Sequence, residues 1–147
     1  MIQLRETTKD DWKFILSVRN EPQVRKSCHD TFVISWEQHK SYMEKLQRQE
    51  CPQWIIIYDG KDVGHIKVVN LKLGSMVMDG YTGRGIGKKA YALVFDELKS
   101  IGYEILVASV KIDRQTTSKF EDDTGWIKVG ISTRNNKPYA NLLVKIL

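Results

Sequence analysis

The chain has few cysteines and prolines and no long apolar run. Two of its 147 residues are cysteines and three are prolines. Cys28 and Cys51 lack the CxxC spacing of a redox pair and the neighbouring histidines of a zinc site. No segment approaches the roughly 18 apolar residues of a membrane helix, and the amino end has no basic segment followed by an apolar one. These absences predict a cytoplasmic protein with no bound metal and no membrane contact.

Positive charge is in excess, but it is not clustered. Lys and Arg number 23 against 18 Asp and Glu, which gives a formal net charge of +5 and a pI near 9.2. Such an excess suits an anionic partner, whether nucleic acid, a nucleotide-sugar or a phosphate-bearing cofactor. The basic residues mostly alternate with acidic ones, as in Glu44-Lys45 and Lys61-Asp62. Because no basic arm is present, we predict that the chain does not bind nucleic acid.

Length and composition predict one folded domain over residues 1–147. Hydrophobic residues make up 41% and charged residues 28%, as in ordinary globular proteins. A chain of this length buries roughly two thirds of the surface that its unfolded form exposes. No linker, repeat or low-complexity stretch divides it.

The amino-terminal third predicts a strand followed by two helices. Residues 2–5 alternate apolar and polar side chains, as a half-buried strand does. Thr8 with Asp11 and Ser35 with Gln38 have the spacing of capping boxes, each of which opens a helix.

The rest of the chain predicts a meander, a helix, a strand and a closing hairpin. Two β-rich runs, 54–58 and 63–69, flank Asp59-Gly60, a strong hairpin signal. The further predicted elements are a strand at about Ser75–Asp79, a helix at Lys88–Lys99, a strand at Glu104–Val110 buried on both faces, a short helix near Thr116–Asp123, and a hairpin of Trp126–Ser132 and Tyr139–Leu147 around Asn135-Asn136.

A glycine-rich turn, Thr82 to Gly87, stands between a predicted strand and a predicted helix. Glycines let the backbone approach an anion closely, and the unpaired N–H groups and positive dipole end of a helix attract it. Lys88 and Lys89 oppose that dipole unless an anion is present. The pattern predicts a phosphate-binding turn, and a glycine-rich connection without a ligand remains the alternative.

Spacing separates the phosphate-binding folds. A P-loop requires glycine at the position of Thr82 and Ser or Thr at that of Lys89. A dinucleotide-binding fold requires the turn in the first βαβ unit and an acidic residue at the end of the next strand, which here ends at Ser109-Val110. Neither fold is therefore predicted.

The turn resembles the signature of the GNAT acetyltransferase family, which is Arg or Gln, two residues, Gly, one residue, then Gly or Ala. Thr82 replaces the family's Arg or Gln, and Arg84 offers a replacement charge. The order of predicted elements is similar to that family over nearly the whole chain. The resemblance implies an α/β (α+β) single-domain fold, in which about four helices flank a mixed, mostly antiparallel sheet of about six to seven strands. It also implies an acetyl-CoA-dependent N-acetyltransferase.

The resemblance implies that the turn holds the pyrophosphate of acetyl-CoA. Backbone N–H groups near Val77 and Met78 are then expected to receive the pantetheine and the reaction's oxyanion. Arg114 takes the asparagine position of a downstream family segment. The predicted cofactor-binding residues are Val77, Met78, Thr82, Gly83, Arg84, Gly85, Ile86, Gly87, Lys88 and Arg114.

Three residues are candidates for proton transfer. Glu121 takes the position of the family's tyrosine, which often protonates the departing thiolate; an exposed acid with no such role is the alternative. His65 is the first candidate for the general base, because histidine titrates near working pH, and Asp79 is the second. A structural histidine is the alternative for His65.

The segments 19–25 and 34–39 are similar to a pattern in GNAT enzymes that acetylate nucleotide-linked amino sugars of pseudaminic acid and related pathways. The resemblance implies an acceptor site formed by Arg19, Arg25, His39 and Tyr42, where arginine suits phosphate. Packing of His39 against the sheet is the alternative. The acceptor is thus expected to be a small-molecule amine, with a nucleotide-sugar as the candidate. The protein is expected to be a monomer or a homodimer. A protein or peptide N-acetyltransferase and a non-catalytic CoA-binding module remain open.

Overall fold

A computed structural model describes residues 1–112 and 125–147. The predicted short helix near Thr116–Asp123, the predicted cofactor residue Arg114 and the predicted acid Glu121 lie outside the described residues.

The described residues form a sheet and four α-helices. The strands are β1 (Ile2–Glu6), β2 (Gln53–Tyr58), β3 (Lys61–Val69), β4 (Lys72–Val77), β5 (Ile105–Lys111), β6 (Ile127–Arg134) and β7 (Lys137–Ile146). The helices are α1 (Trp12–Arg19), α2 (Pro22–Ser27), α3 (Trp36–Arg48) and α4 (Ile86–Ser100), with a 3-10 turn at Lys9–Asp11 before α1.

The seven strands form one sheet in the order β1-β2-β3-β4-β5-β7-β6. Neighbouring strands are antiparallel except β4 and β5, which are parallel. A parallel pair requires a crossover connection, and α4 lies in that crossover. The predicted fold class, a mixed and mostly antiparallel sheet flanked by four helices, is confirmed.

Two apolar clusters lie on opposite faces of the sheet. The first joins α1 and α3 to the sheet through Trp12, Ile15, Met43, Leu46 and Ile55. The second lies under α4 and includes Ile56, Ile66, Ala90, Val94, Leu98, Leu106 and Leu143. Side chains alternate between the faces of a strand, so Ile55 and Ile56 belong to different clusters. Burial of each large apolar side chain contributes about 1.5–3 kcal/mol to stability.

The capping boxes and turns confirm the local predictions. The Ser35 hydroxyl accepts from Gln38 N at 3.2 Å, and Gln38 Oε1 accepts from Ser35 N at 3.0 Å. Asp11 Oδ2 accepts from Thr8 N at 2.8 Å. Because Arg5 donates to both oxygens of Asp11, it lowers the pKa of that carboxyl and ties β1 to the start of α1.

α2 is a helix that the sequence analysis missed. Only two helices were predicted in the amino-terminal third, but α2 begins at Pro22, directly after α1, with the proline in its first turn. Proline is favoured there, since its missing N–H would have no intrahelical partner. The six residues of α2 are too few to give a clear periodic signal.

β4 begins earlier than predicted. It covers Lys72–Val77 instead of Ser75–Asp79, because the preceding turn is formed by Asn70 and Leu71, with φ of 50° and 67°. Left-handed leucine is uncommon, so a turn at this point was not predicted.

No helix of residues 1–112 or 125–147 covers the second face of β5, so within the described part of the chain the prediction of a strand covered on both faces is wrong. Leu106 and Ala108, under α4, are 0% and 7% exposed, whereas Ile105 is 37% exposed. On the opposite face, α1 packs mainly against β3 and β4. Val107 and Ser109 therefore face a cavity instead of a helix.

Candidate functional site

The central parallel pair, β4 and β5, diverges along its length. Among the described residues the pair is bridged at Lys72 and Val107, and Val107 N donates to Leu71 O at 2.9 Å. Both strands run in the same direction from this point. The carboxyl half of β4 therefore faces an opening whose other edge is formed by Ser109 and the end of β5.

The backbone of β4 presents Val77 to this opening. Met78 N donates to Val63 O of β3 at 2.8 Å. Alternate residues of an antiparallel strand bond to the same neighbour, so the N–H of Val77 points away from β3, toward β5. Of the two predicted pantetheine contacts, Val77 is placed at the opening, whereas the N–H of Met78 is engaged within the sheet.

The glycine turn follows directly and leads into α4. Gly83 and Gly85 have φ of +75° and +74°, and a Cβ built on either would meet nothing within 4 Å. Gly85 is the N-cap of α4 and contributes no side-chain cap, so the first amides of the helix depend on water or a ligand for partners. Open space, left-handed glycines and a helix start together fit a diphosphate group.

Basic side chains surround the turn. The Arg84 guanidinium lies 5.2 Å from the ring centre of Tyr81, and Lys61 Nζ lies 5.4 Å from it. Lys88 and Lys89 lie in the first turn of α4, which carries no acidic residue. Thr82 is exposed in the same turn. This charge favours an anion at the position that the sequence predicted.

His65 lies inside the protein, which argues against its predicted role as the base. It is 2% exposed, and its Nε2 is 3.0 Å from Gln53 Oε1. Burial lowers the pKa of His65 to about 3, with Lys67 and His39 contributing in the same direction. A neutral histidine bonded to an amide beneath α1 and α3 fits the structural alternative.

Two carboxylates lie at the end of β4. Asp79, the second predicted base, is exposed. Its backbone N–H donates to Glu21 at 3.2 Å to Oε1 and 3.3 Å to Oε2. Because odd-numbered amides of this strand point away from β3, the carboxylate of Glu21 lies on the side of the opening. Glu21 was not among the predicted site residues, since it is 58 residues away from Asp79 in sequence.

The two predicted acceptor arginines support the connection between α2 and α3. Arg19 Nη2 donates to Asp30 O at 2.9 Å. Arg25 donates to Asn20 O at 3.1 Å and to Thr31 O at 3.2 Å. These bonds hold the loop that borders the opening.

The other two predicted acceptor residues belong to α3. His39 is 5% exposed and its Nε2 is 2.7 Å from Trp12 O, and burial lowers its pKa. Tyr42 is 39% exposed and accepts from Lys67 Nζ at 2.8 Å. His39 thus packs α3 against α1, and Tyr42 is accessible.

A cavity lies beside the opening, between the α2–α3 loop and the uncovered face of β5, β7 and β6. Its lining includes His29, Lys72, Ser109, Arg134 and Tyr139. His29 Nε2 is 3.3 Å from Ser109 O, and His29 O accepts from Tyr139 Oη at 2.9 Å. Sequence analysis missed these residues because the contacts join positions 80 to 110 residues apart.

The described residues carry neither a membrane span nor a metal cluster. None of the helices within 1–112 and 125–147 is long and apolar enough to cross a membrane. In the same ranges, no group of at least three His, Cys, Asp or Glu residues could hold a metal ion.

Solved structures share this fold along their whole length. A domain from Methanocaldococcus jannaschii is 23% identical, with a TM-score of 0.85 over 100% of this chain and 99% of that chain. A ribosomal-protein-alanine N-acetyltransferase from Brucella melitensis is 16% identical, with a TM-score of 0.82 over 99% of both chains. A spermidine N-acetyltransferase from Vibrio cholerae, in complex with CoA and spermine, is 9% identical, with a TM-score of 0.83 over 99% of this chain and 95% of that chain. At these identities the likeness shows the fold alone.

Sequence comparison gives the family. A search of curated protein sequences found no significant match. The model of the acetyltransferase (GNAT) family matches residues 17–120, more than half of the 147 residues. That match includes α2, β4, the glycine turn and α4. The chain therefore belongs to the GNAT acetyltransferase family.

Proposed function

We propose that the protein is an acetyl-CoA-dependent N-acetyltransferase that acetylates a primary amine of a nucleotide-linked amino sugar. The observation that carries the proposal is the open glycine turn, which precedes α4 and follows the strand that borders the opening. A diphosphate on the turn and an acyl chain along β4 would occupy adjacent parts of one surface.

The turn and the end of β4 would hold the cofactor. The first amides of α4 and the backbone of Gly83 and Gly85 would bind the diphosphate, with charge supplied by Arg84 and Lys88. The cofactor would supply an acetyl group activated as a thioester. The N–H of Val77 would donate to the carbonyl oxygen, where negative charge develops as the amine attacks. Arg114 and Thr82 remain proposed contacts of the cofactor.

The carboxylates at the end of β4 are our proposed proton acceptors. An amine must be neutral before it can attack, so a base must take its proton directly or through water. Glu21 and Asp79 lie at the opening, whereas His65 is buried. Glu121 remains the proposed acid for the leaving thiolate.

The acceptor would enter from the side of the α2–α3 loop. Arg19 and Arg25 position this loop, and Tyr42 is accessible on α3. Spermine accompanies the Vibrio cholerae enzyme, and another structural neighbour is an aminoglycoside acetyltransferase in complex with coenzyme A. Polyamines and aminoglycosides are cationic, whereas Lys72 and Arg134 line the cavity beside the opening in this chain, which favours an acceptor with negative charge.

Acetyl transfer can be tested by incubating the protein with acetyl-CoA and a panel of acceptors while thiol release is followed. The panel contains amino-sugar nucleotides, the same amino sugars without the nucleotide, polyamines and peptides. We expect acetylated amino-sugar nucleotide, identified by mass spectrometry. Turnover of peptides alone would favour the peptide N-acetyltransferase, and CoA binding without any turnover would favour the non-catalytic module.

A further inference from the structure

The cavity beside the opening has the dimensions of a ligand site. Its volume is about 570 Å³, within the range of roughly 300–1,000 Å³ of small-molecule pockets. One wall is the loop between α2 and α3, which carries His29. The floor is the face of β5 and β7 that no helix covers among the described residues.

Lys72 and Arg134 line this cavity, and Lys111 lies close enough to His29 to act on its charge. Lys72 begins β4, Lys111 ends β5 and Arg134 ends β6. Burial is the main cause that lowers the pKa of His29. The positive charges of Lys72, Arg134 and Lys111 lower this pKa further. Asp30 Oδ1 lies 3.9 Å from Arg134 Nη2. Among residues 1–112 and 125–147, the charges of Lys72, Arg134 and Lys111 outnumber that of Asp30 around this cavity, which favours an anion there.

Arg134 and Lys111 are held in place by contacts with the α2–α3 loop and its surroundings, and the floor is mostly apolar. Arg134 Nη1 donates to His29 O at 3.1 Å, and its guanidinium lies 4.3 Å from the ring centre of Tyr139. Lys111 Nζ donates to Lys26 O at 3.2 Å. The floor is formed by Val107, Leu142 and Val144, which are cross-strand neighbours on one face. Such a site accepts a molecule with an anionic group and an uncharged body.

The cavity is next to the proposed reaction site. Lys72 and Val107, the last bridged pair of β4 and β5, both line it, and Ser109 lies at the edge of the opening. A ligand in the cavity would therefore lie within one or two residues of β5 from the point where β4 and β5 separate.

We propose that this cavity is an anion subsite that binds the diphosphate of a nucleoside diphosphate-linked acceptor through Lys72 and Arg134. The subsite is distinct from the glycine turn, and its role in catalysis rests on the proposed function. It selects against polycationic acceptors, because Lys72, Lys111 and Arg134 would repel them.

Binding of UDP measured by calorimetry tests the subsite without any acetyl transfer. The glycine turn can also attract a diphosphate, so the titration is made with and without saturating CoA. We expect UDP to bind in both conditions and uridine to bind much more weakly. Loss of either Lys72 or Arg134 should weaken UDP binding roughly tenfold, which corresponds to about 1.4 kcal/mol.

Matched variants separate the subsite from general charge. The single variant Lys72→Gln and the double variant Lys72→Gln with Arg134→Gln are compared with the control Lys128→Gln. The control removes a lysine from the opposite face of the sheet, because Lys128 pairs with buried Leu143. Because Arg134 supports the α2–α3 loop, its replacement can also disturb the fold. Lys72 is exposed, so its replacement should leave the fold intact, and Lys72→Arg should keep the UDP affinity that Lys72→Gln loses. Equal affinity of Lys72→Gln and Lys128→Gln, or complete displacement of UDP by CoA, would overturn the subsite. The absence of acetyl transfer would instead count against the proposed function alone.

Discussion

Glu21 and Asp79 join two distant parts of the chain at one point. The carboxylate of Glu21, at the N-cap of α2, accepts from the backbone N–H of Asp79 at 3.2 and 3.3 Å. This contact holds the carboxylate of Glu21 at the end of β4, within the proposed reaction site. A carboxylate held by a backbone amide keeps its position without a cost in side-chain entropy at the moment of reaction.

We expect Glu21→Gln to lower kcat by roughly 10²-fold or more, the usual contribution of a general base. The amide keeps the size of the side chain but cannot accept a proton. Exposed Glu37, in the first turn of α3, gives the charge-matched control Glu37→Gln. If both variants kept the kcat of the unmodified protein, Glu21 would have no part in proton transfer.

Gly85→Asp should abolish CoA binding. The new carboxylate would occupy the open space beside Gly85 and repel the diphosphate. Gly60→Asp is the matched control, because Gly60 also has a positive φ, of 80° against 74°, and open space around it. Both variants should lose about 1–2 kcal/mol of stability from left-handed strain, but only Gly85→Asp should lose binding by calorimetry. Unchanged CoA affinity in Gly85→Asp would remove the basis of the cofactor assignment.

Gly64→Ala should displace β4 at the opening, because Gly64 packs closely against the backbone of that strand. A Cβ at Gly64 would lie 2.4 Å from Met76 O and 3.3 Å from Val77 Cα, so β4 must move away from β3. We expect a loss of about 1–3 kcal/mol of stability in urea unfolding and a higher KM for acetyl-CoA. At Gly74 on β4 the nearest atom to a Cβ is Lys67 Cε at 3.5 Å, an ordinary contact. Gly74→Ala should therefore be neutral, and equal effects at both positions would contradict the close approach.

His65 should make stability depend on pH. Its pKa is about 3 in the folded protein against 6.5 for a free histidine. Between these values the unfolded chain binds more protons, so stability falls as pH decreases below 6.5, by up to about 1.4 kcal/mol per pH unit. Chemical unfolding at several pH values should show a smaller slope for His65→Gln. His29 and His39, whose pKa values are also lowered, contribute the same sign in both proteins. Identical slopes would show that His65 is accessible to protons in the folded state.

The sequence predicted turns and helix starts well where a few neighbouring residues specify them. The Ser35–Gln38 capping box, the Asp59-Gly60 hairpin and the two asparagines at 135–136 each specify a turn or a helix start within a few residues. Asp59 and Gly60 have φ of 48° and 80°, and the asparagines 53° and 60°. The glycine turn was predictable for the same reason.

The candidate site was less predictable, because its side chains meet through tertiary structure. The sequence cannot show that Glu21 reaches the end of β4 or that His29 contacts β5 and β7. Likewise, the alternating pattern that places His65 on β3 does not show that helices cover that face. The apolar run of β5 predicted two buried faces, and only the arrangement of α1 and α3 leaves one of them open.

The short helix α2 and its flanking residues touch both sides of the divergent strands. Glu21 accepts from the N–H of Asp79, two residues after the end of β4. Lys26 O accepts from Lys111 of β5, and His29 Nε2 is 3.3 Å from Ser109 O. A molecule that widens or fills the gap must therefore shift this segment relative to one of the strands. If the same segment borders the amine-bearing substrate, binding on one side would change the free energy of binding on the other, and that effect would be reciprocal.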